Sequence, residues 1–239
     1  MQKITTVIKA SWQIWKQAKL AFSGLGALAI ALSVLQIYVQ EGMKTFNANG
    51  GVFPVGYILV AVLALLVPTI NVTTNALGAW VMDRRTGDNA AGLSKMSYII
   101  KKLGAHRAQK TIAFFFFFQL CVALNYLFVN HSESIVIGVT AFIVTGLELF
   151  LIPLSVYGED TTWLQALALS PKILVKEWLT ILLLWILATI TVIASMITFG
   201  AALIIAIPVY EITILVISSE YCDQSTATPE KNTYAMRSR

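Results

Sequence analysis

Two carboxylates sit where the sequence surrounds them with apolar residues: Glu148 in "TGLELFLIP" and Glu211 in "PVYEITILV". A glutamate inside an apolar run has a short list of uses. It can bind a cation, relay a proton, line a path for an ion, or hydrogen-bond to a neighbouring helix as a neutral acid. Asn75 and Asn71, in "TINVTTNAL", add amide dipoles to the same polar inventory. Pro153 and Pro208 stand within about a turn and a half of the two acids, and a proline inside a helix frees a backbone carbonyl for other partners. These four side chains form the candidate polar centre, either a transport site or a set of interhelical hydrogen bonds.

The elements that position them follow from composition. Of 239 residues, 57% are apolar and 12% are charged, and the mean hydropathy is +0.75. Water-soluble domains carry about 25% charged residues, so this chain reads as a polytopic membrane protein. Apolar segments of about 18 residues or more are long enough to cross a bilayer core roughly 30 Å thick. Six are expected, at 20–39, 55–82, 111–129, 134–156, 178–199 and 201–217. The near absence of chain around Gly200 predicts a tight turn between the fifth and sixth. On this frame Glu148 and Glu211 lie about 8 and 7 residues from the ends of their spans, and Asn75 about 7 residues from Met82, each roughly 10–12 Å deep.

Orientation comes from the basic residues, which are retained on the cytoplasmic side during insertion. With six spans, 16 of the 17 Lys and Arg residues fall on one side and Lys44 alone on the other, which places both termini in the cytoplasm. Three cytoplasmic segments read as amphipathic interfacial helices, each just before an odd-numbered span. The first places Ile4, Val7, Ile8, Trp12 and Trp15 close to one face. The second pairs Leu93, Met96, Ile100 and Leu103 with Lys95, Lys101, Lys102, Arg107 and Lys110, a basic set expected to meet anionic headgroups. The third carries Leu164, Leu167, Leu174 and Trp178. Beside membrane spans, basic loops of this kind point to lipid and not to nucleic acid.

The recurrence suggests an internal repeat of one amphipathic helix and one membrane hairpin, used three times. Aligning Ser11, Ser97 and Ser170 also aligns Ile14, Ile100 and Ile173, and each even-numbered span holds a proline: Pro68, Pro153 and Pro208. The stretch 161–178, with "ALALS" leading through "ILVKEW" into a span, resembles linkers in poorly characterised six-span bacterial membrane proteins, including relatives of the membrane domain of glycerophosphodiester phosphodiesterases. The resemblance covers the topology and about one loop. It implies a bacterial inner-membrane protein and transfers no catalytic residue, because the soluble phosphodiesterase domain has no counterpart in these residues.

Nothing in the sequence specifies an enzyme. His106 and His131 lack carboxylate or cysteine partners at metal spacing, and no HExxH, CxxC or Walker-type loop appears, so neither a metal nor a cofactor is expected. Glu159 and Asp160 read as loop acids or as a helix N-cap. The small residues of "SGLGALAIALS" favour close helix contact in the first span, and "FFFFF" gives bulk on all sides of the third. The expected architecture is an all-α integral membrane protein of six transmembrane helices in three hairpins, one domain over 1–217, followed by a polar cytoplasmic tail over 218–239. The leading functional expectation is a noncatalytic component that supports or organises an envelope assembly or lipid environment, as a homo-oligomer or as a subunit of a membrane complex. The alternative is a small transporter or channel working through Glu148 and Glu211.

Overall fold

The computed structural model describes residues 2–48, 54–86, 95–104, 106–130, 135–158, 160–198 and 200–226. Among them the chain is almost entirely helical. Short helices α1 (Gln2–Gln17), α4 (Lys95–Leu103) and α7 (Trp163–Lys176) alternate with pairs of long apolar ones. The pairs are α2 (Lys19–Ala48) with α3 (Pro54–Thr86), α5 (Arg107–Asn130) with α6 (Ile135–Tyr157), and α8 (Trp178–Ile197) with α9 (Ala201–Thr226). Three stretches, Lys19–Phe46, Trp178–Ile197 and Ala201–Cys222, are long and apolar enough to cross a membrane, and Ile143–Tyr157 is a shorter apolar helix. The fold is therefore that of a helical membrane protein.

Helix α9 does not end where apolar sequence gives way to polar. Residues 218–226, expected to open the tail, continue it to Thr226, and the first of them pack inward. Ser218 and Ser219 are buried, and the Cys222 thiol lies 4.0 Å from the Leu154 carbonyl of α6. The turn before α9 depends on Gly200, whose φ of +84° only glycine adopts without strain and whose N–H donates to the Ser195 carbonyl at 2.8 Å. At the start of α7 the cap is Thr162 and not the preceding acids. Its hydroxyl accepts from the Gln165 N–H, and the Gln165 side chain accepts from the Thr162 N–H, a reciprocal capping box.

The three long helices with an internal proline, α3, α6 and α9, all touch one another and form the centre of the bundle. Each short helix then packs on the central helix preceding it in a cyclic order: α4 on α3, α7 on α6, and α1 on α9. The last contact joins the first and last described helices.

The docking faces explain the amphipathic patterns and revise them. In α7 the buried stripe is Ala166, Ser170 and Ile173, while Leu164 and Trp178 stay exposed. In α1 it is Val7, Ser11 and Ile14, with Trp15 also buried and Trp12 more exposed. Small residues let each helix approach the bundle, and larger ones flank them on the packed side: Ile4 in α1 and Leu167 and Leu174 in α7 also pack against the core. Ser11 and Ser170 are equivalent: each is fully buried and donates its hydroxyl to the carbonyl four residues back at 2.8 Å. The repeat alignment fails in α4, where Ser97 and Ile100 are exposed while Tyr98 and Leu103 are buried.

Candidate functional site

The central helices bring part of the expected polar centre together. Asn75 of α3 is fully buried, and its amide nitrogen donates to Glu211 Oε2 of α9 at 3.1 Å and to the Asn71 carbonyl at 2.9 Å. Asn71 thus contributes its backbone oxygen to this group. The Asn75 carbonyl oxygen is buried with no hydrogen-bond partner. Glu148 of α6, half-buried, takes a hydrogen bond from the Cys121 thiol of α5 and stands near enough to Glu211 for the two carboxyls to interact electrostatically. Glu148, Glu211 and Asn75 therefore share one region where α3, α6 and α9 meet. Cys121 is the member that sequence did not single out, since a cysteine in an apolar span carries the signal of a small hydrophobe.

Beside this region lies a cavity of about 330 Å³ between α8 and α9, walled in part by Leu184, Ala188, Thr191, Ala206, Tyr210 and Glu211. Leu187 and Val192 also line it and are each nearly half exposed on the outer side of α8, so its mouth faces the surroundings of the bundle.

The basic residues of the second amphipathic segment divide into two groups. Lys101 and Arg107 are exposed, as a surface role requires, while the side chain of Lys95 lies outside the described residues. Lys102 and Lys110 turn inward. Lys110 is fully buried and donates its ammonium to the Ser155 carbonyl at 2.9 Å and the Gly158 carbonyl at 3.4 Å. Lys102 donates to the Tyr157 carbonyl at 3.1 Å, lies 3.5 Å from Asp83 Oδ2, and sits over the Tyr98 and Tyr157 rings. The two lysines thus occupy the C-terminal end of α6, where the last carbonyls lack intrahelical donors and the helix dipole favours a cation. For these two positions the headgroup expectation is replaced by helix capping.

A second junction of this kind escaped the sequence reading altogether. Glu177, between α7 and α8, is buried, accepts from the Tyr221 hydroxyl of α9 at 2.7 Å and from the Thr180 hydroxyl at 3.2 Å, and so ties the α7–α8 corner to α9. Together with the lysine contacts this places the starts of α5 and α8 at the same end of the bundle as the ends of α3, α6 and α9.

Among the described residues no three His, Cys, Asp or Glu side chains gather as a metal site requires. Comparisons with family models, curated proteins and solved structures gave no match.

Proposed function

We propose that this protein is a noncatalytic, six-span component of the bacterial cytoplasmic membrane, with both termini in the cytoplasm, that organises an anionic lipid environment for itself or for a membrane assembly. In this reading α3, α5 and α6 cross the bilayer together with the three long apolar helices, giving three hairpins. The observation that carries the proposal is how the interior polar groups are used. Asn75 joins α3 to Glu211 of α9, and Lys102 and Lys110 close the end of α6, while Lys101 and Arg107 remain outward. Interior polarity holds helices together, and exposed basic charge is left at the face where headgroups would lie. Homo-oligomers or partner subunits would pack on the apolar outer faces of α2 and α8, where Ile37, Ile190 and Ile193 are exposed.

A basic residue near an anionic surface contributes about 1 kcal/mol, so the double substitution of Lys101 and Arg107 by Gln is expected to lower retention of anionic lipid by roughly tenfold or more. Lipid analysis of protein purified from one membrane source measures this. Equal retention by the wild type and the double variant would remove the lipid-organising role.

One observation favours the transport reading as a second possibility: Glu148 and Glu211 interact across α6 and α9, and Glu211 also walls the cavity beside α8. On that reading Glu148→Gln abolishes ion or proton flux in proteoliposomes while leaving the protein's elution and thermal unfolding unchanged. Lower stability without any flux to lose assigns Glu148 to helix packing.

A further inference from the structure

The cavity between α8 and α9 has one carboxylate and no basic side chain in its lining. Its other polar groups are the hydroxyls of Tyr210, Thr191 and Thr213, and the remaining wall is aliphatic. Glu211 stands halfway along the Ala201–Cys222 stretch, so at 1.5 Å per residue it lies roughly 15 Å from either end. A phospholipid can place acyl chain at that depth but not its headgroup, and acyl chain offers nothing to a carboxylate. The matching occupant is a small hydrophobic molecule carrying one positively charged donor. Away from the cavity, Glu211 is held by Asn75 of α3, which is not part of the cavity wall.

We infer that this cavity is a binding site for a lipophilic amine, its ammonium on the Glu211 carboxylate and its apolar body against Leu184, Ala188 and Ala206. An ammonium brings three N–H donors, and Glu211 supplies the one carboxylate in the lining to accept from them. At about 330 Å³ the cavity falls at the small end of ligand pockets, which run from about 300 to 1,000 Å³. Entry is lateral, past Leu187 and Val192, so the molecule reaches the site from the bilayer.

Equilibrium binding of radiolabelled decylammonium to the full chain in a neutral detergent tests this, with radiolabelled decanol as the uncharged comparison. The wild type is expected to bind decylammonium saturably at one site per chain and to bind decanol at least tenfold more weakly. Glu211→Gln is expected to lose at least tenfold in affinity. Ala188→Phe fills the cavity from α8 and leaves Glu211 and Asn75 themselves unaltered, and it is expected to lose binding while eluting as the wild type does. The inference is overturned by an absence of saturable binding, by equal affinity for decanol, or by full binding in a folded Ala188→Phe variant. The assay requires neither anionic lipid nor flux, so its outcome is separate from that of the lipid-organising proposal.

Discussion

Lys110→Met is expected to destabilise the folded protein by about 2–3 kcal/mol, whereas Lys101→Met, nine residues earlier, is expected to change stability by less than about 0.5 kcal/mol. Both replacements keep an apolar stem and remove the ammonium, so the difference isolates what that group does. Lys110 is fully buried, and its ammonium supplies donors to the Ser155 and Gly158 carbonyls at the end of α6. Without it the Ser155 carbonyl stays out of water with a donor gone, and a cation is lost from the negative end of the helix dipole. Lys101 is exposed on α4. Thermal unfolding in a mild detergent measures both variants. A role for Lys110 in binding headgroups predicts the opposite ranking, with little loss of stability and a clear loss of bound anionic lipid.

The contrast between these lysines marks where sequence stops being informative. A lysine beside an apolar segment looks the same whether it points to headgroups or folds back under the bundle, because the distinction depends on another helix. Lys110 finds its partners 45 and 48 residues away. The six apolar segments were legible from the length of their apolar runs and the three amphipathic ones from local periodicity, and all nine appear as helices among the described residues. The facing of the amphipathic helices was less legible. Of the large apolar residues singled out in the third segment, Leu164 and Trp178 are exposed, while the buried stripe of α7 is Ala166, Ser170 and Ile173 with Leu167 and Leu174 packed beside it.

The polar centre shows the same division. Glu148, Glu211 and Asn75 stand out because polar side chains in apolar runs are costly. That Asn75 would meet Glu211, 136 positions on, depends on α3 packing against α9, and that Cys121 would meet Glu148 depends on α5 packing against α6. The proposed triple repeat gives that triangle a rationale. If each unit supplies one proline-bearing central helix and one short helix that docks on the central helix before it, the ring closes only when α1 reaches α9. Ser11 and Ser170 relate α1 to α7, and α4, shorter and with Tyr98 and Lys102 turned inward, does not share their pattern. Closure also explains why the cavity beside Glu211 includes Ile8 of α1 in its wall.

The contact between α2 and α9 yields a sharp steric expectation. Pro208 has no N–H, so the Ile204 carbonyl one turn earlier in α9 lacks its normal helical donor. The backbone of α2 approaches at that point through Gly26. A β-carbon built there would fall on the Ile204 carbonyl oxygen and within 3.1 Å of Pro208 Cδ. The neighbour is backbone and a proline ring, neither of which can rotate aside, so the helices must separate. Gly26→Ala is therefore expected to cost about 1–3 kcal/mol as overpacking, despite alanine's better helix propensity. Gly24 lies two positions away in the same helix, and a β-carbon there meets nothing within 4 Å. Gly24→Ala should be neutral or stabilising by about 0.5–1 kcal/mol, since alanine removes the conformational freedom that glycine loses on folding. Unfolding of the two variants in mixed detergent micelles separates the effects by sign. If Gly26→Ala were as stable as Gly24→Ala, α2 would not approach α9 through this glycine, and the contact beside Pro208 would have to be redrawn.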